Sequence, residues 1–326
     1  MKKTILLSTL ALASTMLAAP SSAQTTPAWP SQPVRMIVGY PAGSSPDMQA
    51  RLLVDPLAKA LGQPVVVENR PGAGGNIGAG LIARAEDGHT IGIVGNGPLT
   101  SSKYLYAKLP YDPQKDLAPV ALVGSAPLVW ATAKSSNGSV NAAQFIQQAR
   151  TQGDKLAYGS IGPGSGGHLG VELLKAELGI NPLHVPFNGG PPILNAMIGG
   201  QVQMTLLPAS TVMPLVQSGR IDAIAVTSAK RSPLAPTLPA MEELGVKGLN
   251  IEVWNAVMAP ARMPKAHLQK LQAELVKIIG SREMRQKLFL QGWRVDDPSA
   301  QALAARIQKD SAAYADVIER NKIRLD

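Results

Sequence analysis

Short apolar, β-branched runs recur along the first third of this chain, at Val34 to Gly39, Val65 to Glu68, Thr90 to Val94 and Val120 to Val123. Each has the length and residue types of a buried strand. Between the first two, roughly Asp47 to Leu61, the apolar spacing switches to a helical one, with Met48, Leu52 and Leu53 on one stripe and Leu57 and Leu61 continuing it. Pro56 inside that segment is expected to kink the helix. Strands alternating with helices in this way predict βαβ units around mostly parallel sheets.

A second series follows Gly153. Strands are expected at Leu156 to Ser160, Leu183 to Phe187, Val202 to Leu206 and Ile221 to Val226, with helices at Leu169 to Leu178 and near Ile193 to Ile198. The last sixty or so residues turn helical, at Lys265 to Ile279, Arg282 to Leu290 and Ala300 to Arg320, as amphipathic segments with polar outer faces. Two α/β units with separate sheets are the expected architecture.

The N-terminus stands outside this pattern. Lys2 and Lys3 precede an apolar run from Ile5 to Leu17 and a small-residue exit at Ser21-Ser22-Ala23, the three zones of a cleavable secretory signal over residues 1–23. The run is short for a bilayer span, which takes about 20 residues. Removing it leaves roughly 300 residues, more than one core usually serves. Residues 24–127 are assigned to a first lobe, 128–253 to a second, and 254–326 to a return into the first. The periplasm is the expected compartment.

Composition narrows the chemistry. The absence of cysteine removes disulfides, thiolate metal sites, cysteine nucleophiles and a lipid-anchoring cysteine together. A formal charge of +9, of which the signal carries two units, is scattered along the chain, and only 4% of residues are aromatic. Nucleic-acid binding calls for a basic stripe interleaved with aromatics, so it is not expected.

Two strand-to-helix loops have unusual composition: Tyr40 to Asp47 and Ser160 to His168. In the first, Ser45 suits an N-cap, Pro46 the first helical position and Asp47 the acidic first turn. In the second, glycines at 162, 164, 166 and 167 expose N–H groups at the mouth of a helix beginning near His168, an arrangement that binds anions without a basic side chain. Caps and tight turns use the same residues without any ligand, so either loop alone is also consistent with plain structure. Together, at about 0.3–1 kcal/mol per helix end and about 1.5–3 kcal/mol per charge-assisted hydrogen bond, they approach the roughly 8 kcal/mol of micromolar binding.

Enzymatic readings are weaker. A dinucleotide fold wants an acidic residue about 20 positions beyond the glycine loop, where this chain has Phe187 and Asn188. No Gly-Lys-Ser/Thr follows a glycine loop, and Ser165 is not in a nucleophile elbow. A Ser165–His168 pair with Asp47 or Asp222 stays open as a hydrolase alternative. The four histidines, at 89, 168, 184 and 267, show no metal-ligand spacing, and His168 reads as a capping or packing residue. Trp130 and Trp254 read as core or hinge packing, Met197, Met204 and Met213 as core filling, and Arg70 to Asn76 as a surface turn beside the cleft.

Several segments, in order over nearly the whole mature chain, resemble the periplasmic receptors of tripartite tricarboxylate transporters, the Bordetella uptake gene family. They are Tyr40 to Gly43, Leu61 to Asn76, Pro110 to Pro113, Tyr158 to Leu169, His184 to Gly190, Gly199 to Val202, Ala225 to Ser228 and Trp254 to Pro260. The resemblance implies a type II periplasmic-binding-protein fold, two α/β lobes joined by two crossover segments with the ligand cleft between them. The crossings would fall near Ser125 to Trp130 and Glu252 to Met258.

It further implies that the two loops pinch one carboxylate, between Ala42, Gly43 and Ser44 on one side and Ser160, Gly164 and Ser165 on the other. Asn96, Phe187, Asn188 and Gly189 would line the rest, and Tyr40, Asp47, His168 and Leu207 complete the candidate site. Two positions depart from the family pattern. Its Gly-Gly-Ser/Thr becomes Gly43-Ser44-Ser45-Pro46, and Leu207 stands where many members carry an acidic residue, which removes a partner for a ligand ammonium. The expectation is therefore a non-enzymatic monomer without cofactor or metal, binding a non-amino mono- or dicarboxylate, possibly an aromatic one. It would serve membrane permease subunits or a sensor protein, with hydrolase or nucleotide chemistry at 160–168 as the other class.

Overall fold

In a computed structural model, which describes residues 29–134, 141–246, 249, 251–320 and 322–323, the first apolar runs become β1 (Val34–Val38), β2 (Val65–Asn69) and β3 (Thr90–Gly95). The secretory segment expected at 1–23 lies outside the described residues. The three strands pair in parallel in the order β2-β1-β3. Parallel neighbours need crossover connections, supplied by α1 (Ser45–Leu61) and α2 (Asn76–Ala83). Val34, Met36 and Val38 of β1 pack in one cluster with Leu53 and Leu57 of α1, while Ile37 packs on the opposite face with Ile82 of α2. Burial on both faces explains why this strand reads as a continuous apolar run. Helix α1 continues through Pro56 as a single element instead of ending there.

After the short helices α3 (Asn96–Leu99) and α4 (Ser102–Leu105) comes β4 (Leu117–Ala133), 17 residues long where sequence reasoning marked only Val120 to Val123. The second series then runs α5 (Ala142–Gln152), β5 (Ala157–Ser160), α6 (Gly166–Leu178), β6 (Leu183–Pro186), α7 (Gly190–Ile198), β7 (Met204–Pro208), α8 (Ala209–Gln217) and β8 (Ile221–Val226). Last come β9 (Glu252–Pro260), α9 (Lys265–Gly280), α10 (Arg282–Leu290) and α11 (Ala300–Arg320).

Strand β4 is common to both halves. From Leu117 to Pro127 it pairs antiparallel with β9, which in turn pairs with β3. From Leu128 onward it pairs with β7 and β8, and β7 continues the sheet to β5 and β6. The result is the two-lobed type II periplasmic-binding-protein fold, with β4 and β9 passing between the lobes. Each half-sheet is covered on both sides: α1, α9 and α10 over one face and α2 and α11 over the other in the first half, α5 and α6 against α7 and α8 in the second. This layering turns the loops after β1 and β5 toward the junction of the halves. No helix among the described residues is long and apolar enough to cross a membrane.

Candidate functional site

The loop after β1 is organised by a buried carboxylate. Asp47, 1% exposed, reaches back along the chain so that the Gly43 N–H donates to its Oδ2 at 2.9 Å. Arg51, one turn on, donates to both carboxylate oxygens at 2.9 and 3.0 Å, and the Asn69 side-chain amide donates to Oδ1 at 2.9 Å. Burial pushes this carboxyl up, but the bonds from Arg51, Gly43 and Asn69 outweigh it and hold it below the ordinary carboxylate range. The cap falls on Ser44, with extended φ/ψ of −71° and 160°, one residue earlier than the sequence pattern indicated. The Ser44 hydroxyl makes no cap bond and is buried without a partner, because Asp47 ties down the preceding backbone in its place.

The loop after β5 is organised by neutral imidazoles. Ser165 caps α6, its hydroxyl accepting from the His168 N–H at 3.3 Å, while the His168 ring Nδ1 accepts from the Gly164 N–H at 3.2 Å. Below it, His184 Nε2 lies 2.7 Å from the Ser160 hydroxyl, which also bonds both backbone groups of Gly162. The two imidazoles sit 4.4 Å apart, and the Tyr158 ring stacks on His184 at 4.9 Å with its hydroxyl donating to Glu172. Burial, reinforced by His168, pushes His184 down to about 4; burial likewise lowers His168, and Glu172 opposes both shifts. Neutral rings fit the geometry, since only an unprotonated Nδ1 can accept from Gly164.

Between the loops lies a cavity of about 260 Å³. Helix α1 brings to it Ser45 and the capping residue Ser44, and α6 brings Gly166 and Gly167. First-turn N–H groups such as those of Ser45, Gly166 and Gly167 have no acceptor within their own helix. No charged side chain lines the cavity among the described residues, and much of its wall is apolar, from Leu128, Leu194, Leu206, Leu207, Val253 and Trp293. Two helix mouths opening on an uncharged, apolar enclosure favour a small anion. The halves already meet around it, with the Ser101 hydroxyl donating to the Gly164 carbonyl at 2.6 Å and the Ser45 and Thr211 hydroxyls 3.3 Å apart.

Of the residues proposed from sequence, Tyr40, Gly43, Ser44, Asn96, Ser165, Gly189 and Leu207 line this cavity. Asp47, Ser160, Gly164 and His168 stand behind it, engaged in the bonds that shape the loops. Ala42 and Asn188 are exposed, and Phe187 packs beside the cluster around α7 and α8. Sequence reasoning did not find Thr211 and Ser210 at the start of α8, Asn255 on β9 or Trp293 after α10, all of which line the cavity. The turn at Arg70 to Asn76 is less superficial than expected: Gly75 is buried and Gly74 reaches the cavity wall.

The remaining expectations sort by burial. Trp130 is fully buried against Phe145, and Trp254 is fully buried with its indole N–H on Asp310, so both belong to the core. Met197 and Met204 are buried and Met213 packs alongside. Ser165 and His168 do not pair as nucleophile and base: the Ser165 hydroxyl takes the His168 backbone N–H and the His168 Nδ1 takes the Gly164 N–H. The shorter Ser160–His184 contact is buried away from the cavity.

Comparison with known proteins points one way. The model of the family described as "Tripartite tricarboxylate transporter family receptor" matches residues 49–323. Protein BugT of Bordetella pertussis is 37% identical over 76% of this chain and 76% of its own length. Among solved structures, R. palustris Rpa4515 with adipate superposes with a TM-score of 0.86 at 32% identity, covering 91% of this chain and 100% of that one. MatC from Rhodopseudomonas palustris with bound malate gives 0.83 at 30% identity, over 89% and 100%.

Proposed function

Because this chain belongs to the tripartite tricarboxylate transporter receptor family, we propose that it closes its two lobes on one small organic carboxylate in the periplasm and does not transform it. The observation that carries this reading is the pair of helices, α1 of 17 residues and α6 of 13, whose N-termini open on one cavity without a charged side chain. A carboxylate there receives the orphan N–H groups of Ser45, Gly166 and Gly167 and the Ser44 hydroxyl. Each such bond to a charged acceptor contributes about 1.5–3 kcal/mol, and three or four reach the roughly 8 kcal/mol of micromolar affinity. The adipate and malate held by two structural neighbours support the same class of solute.

Tyr40, Gly43, Ser44, Asn96, Ser165, Gly189 and Leu207 are assigned to the ligand, with Asp47, Ser160, Gly164 and His168 holding the loops in shape. Leu207 is 3% exposed and faces the cavity, and no acidic side chain lines it. An ammonium buried there has no counter-charge, so amino acids are excluded on the cost of desolvation. The lobes of this reading are 24–127 with 254–326, and 128–253, after export directed by residues 1–23. Its partners are the integral-membrane subunits of the transporter.

Calorimetric titration against a panel of organic acids and amino acids tests the reading. Micromolar binding of carboxylates with silence toward aspartate and glutamate is expected; a preference for either amino acid refutes the exclusion of ammonium.

A further inference from the structure

The cavity is polar at the mouths of α1 and α6 and apolar along its walls, but two buried donors elsewhere on its lining have no protein acceptor. The Trp293 indole N–H is one, on a side chain 1% exposed, and the Ser210 hydroxyl is the other. Gly292, the residue before Trp293, abuts Ser210: a methyl group placed on it would lie 3.0 Å from the Ser210 backbone nitrogen. Buried donors left without acceptors are rare in folded proteins and call for an explanation. Both residues line the cavity, which makes a bound solute the available source of an acceptor.

The surroundings decide what kind of acceptor. No cation lines the cavity among the described residues. Helix α7 also opens on it, but Pro191 and Pro192 in its first turn have no N–H, so within that turn Gly190 alone offers one to the cavity. That leaves the Gly190 N–H and the mouth of the nine-residue α8, capped by Pro208, against the two longer helices at the first pole. A second buried carboxylate would lack a counter-charge there, whereas two neutral donors suffice for a carbonyl or ether oxygen.

We infer that the solute is a monocarboxylate with an apolar body and one neutral hydrogen-bond acceptor, received by Trp293 and Ser210. This rests on the carboxylate reading above. Two matched series test it by calorimetry: 4-acetylbenzoate, benzoate and terephthalate, and 5-oxohexanoate, hexanoate and adipate. In at least one series the keto acid binds tightest and the dicarboxylate weakest. Trp293→Phe weakens the keto acid about fivefold, as loss of one hydrogen bond requires, and leaves the unsubstituted acid within about twofold; Ser210→Ala does the same should the tryptophan variant fold poorly. A dicarboxylate binding tighter than its keto partner, or equal weakening of all three acids by both variants, overturns the inference alone. Silence toward all six acids overturns the carboxylate reading and this inference with it.

Discussion

The two loops that face each other across the cavity perform the same task with opposite chemistry. The one after β1 is tied by a charged group, the Asp47 carboxylate with Arg51 and Asn69, and has open space around it: a side chain placed on Gly43 would meet nothing within 4 Å. The one after β5 is tied by neutral rings, His168 and His184, and is packed against backbone: a side chain on Gly167 would lie 2.6 Å from the Leu206 carbonyl oxygen. A turn that opens a helix onto the cavity can thus be shaped by a buried anion, provided that anion is saturated with its own donors, as Asp47 is. The second loop avoids that cost and accepts sensitivity to protons instead.

The sharpest way to break this contrast is steric. Gly167→Ala is expected to cost about 2–3 kcal/mol of stability, because backbone has to move, whereas Gly43→Ala, whose φ is +79°, costs about 1 kcal/mol from left-handed strain alone. Urea denaturation of both variants checks the order, and equal losses would dissolve the distinction. Next, Asp47→Asn removes the charge from its bonds with Arg51 and is expected to lose about 2 kcal/mol, read from the same transitions.

Acid titration sharpens the comparison further. His184 falls to about 4 in the folded protein from an ordinary 6.5, so between those values the unfolded chain takes up a proton that the folded one refuses. Stability contributed by the neutral ring is therefore complete above about pH 6.5 and declines as pH falls toward 4, by roughly 1–2 kcal/mol given its partial exposure. Asp47, held below the carboxylate range, keeps its full contribution above that range and loses it as the pH falls through the range and on below it. His184→Gln should flatten the decline between pH 6.5 and 4 in a melting-temperature profile; an unchanged slope would assign it elsewhere. The smallest effect expected is that of Ser101→Ala, which deletes the 2.6 Å bond between the halves at Gly164. It should weaken carboxylate binding about fivefold in calorimetry and leave the urea midpoint of the unliganded protein within about 0.5 kcal/mol.

How much of this was legible follows local chemistry. The strands β1, β3 and β5 and the helices α1, α6 and α11 show as apolar runs or periodic stripes, because each buries its side chains in a pattern set by its own backbone geometry. Helix α8 did not show, since β-branched Thr211 and Val212 and an internal Pro214 obscure it. Most of β4 did not show either: Pro119 and Pro127 interrupt it, and it is extended only because β9 on one stretch and β7 and β8 on the next supply its hydrogen bonds. In the site, Ser44 and the glycines of the second loop stood out by composition. Trp293, Ser210 and Asn255 carry no such signal, as each comes from a separate part of the chain.

The amino-acid sequence alone determined that βαβ units form, that two glycine-and-serine loops open helices, that no cysteine chemistry occurs and which family the chain resembles. All of these depend on residues within a few positions of one another or on their order. Which N–H groups stay available, and which are consumed by Asp47 and His168, was decided only by the tertiary structure, as was the gathering of Trp293 and Ser210 on one cavity wall. The reason is that a hydrogen bond is settled at about 3 Å, a distance fixed between remote segments only once both half-sheets have packed around β4 and β9.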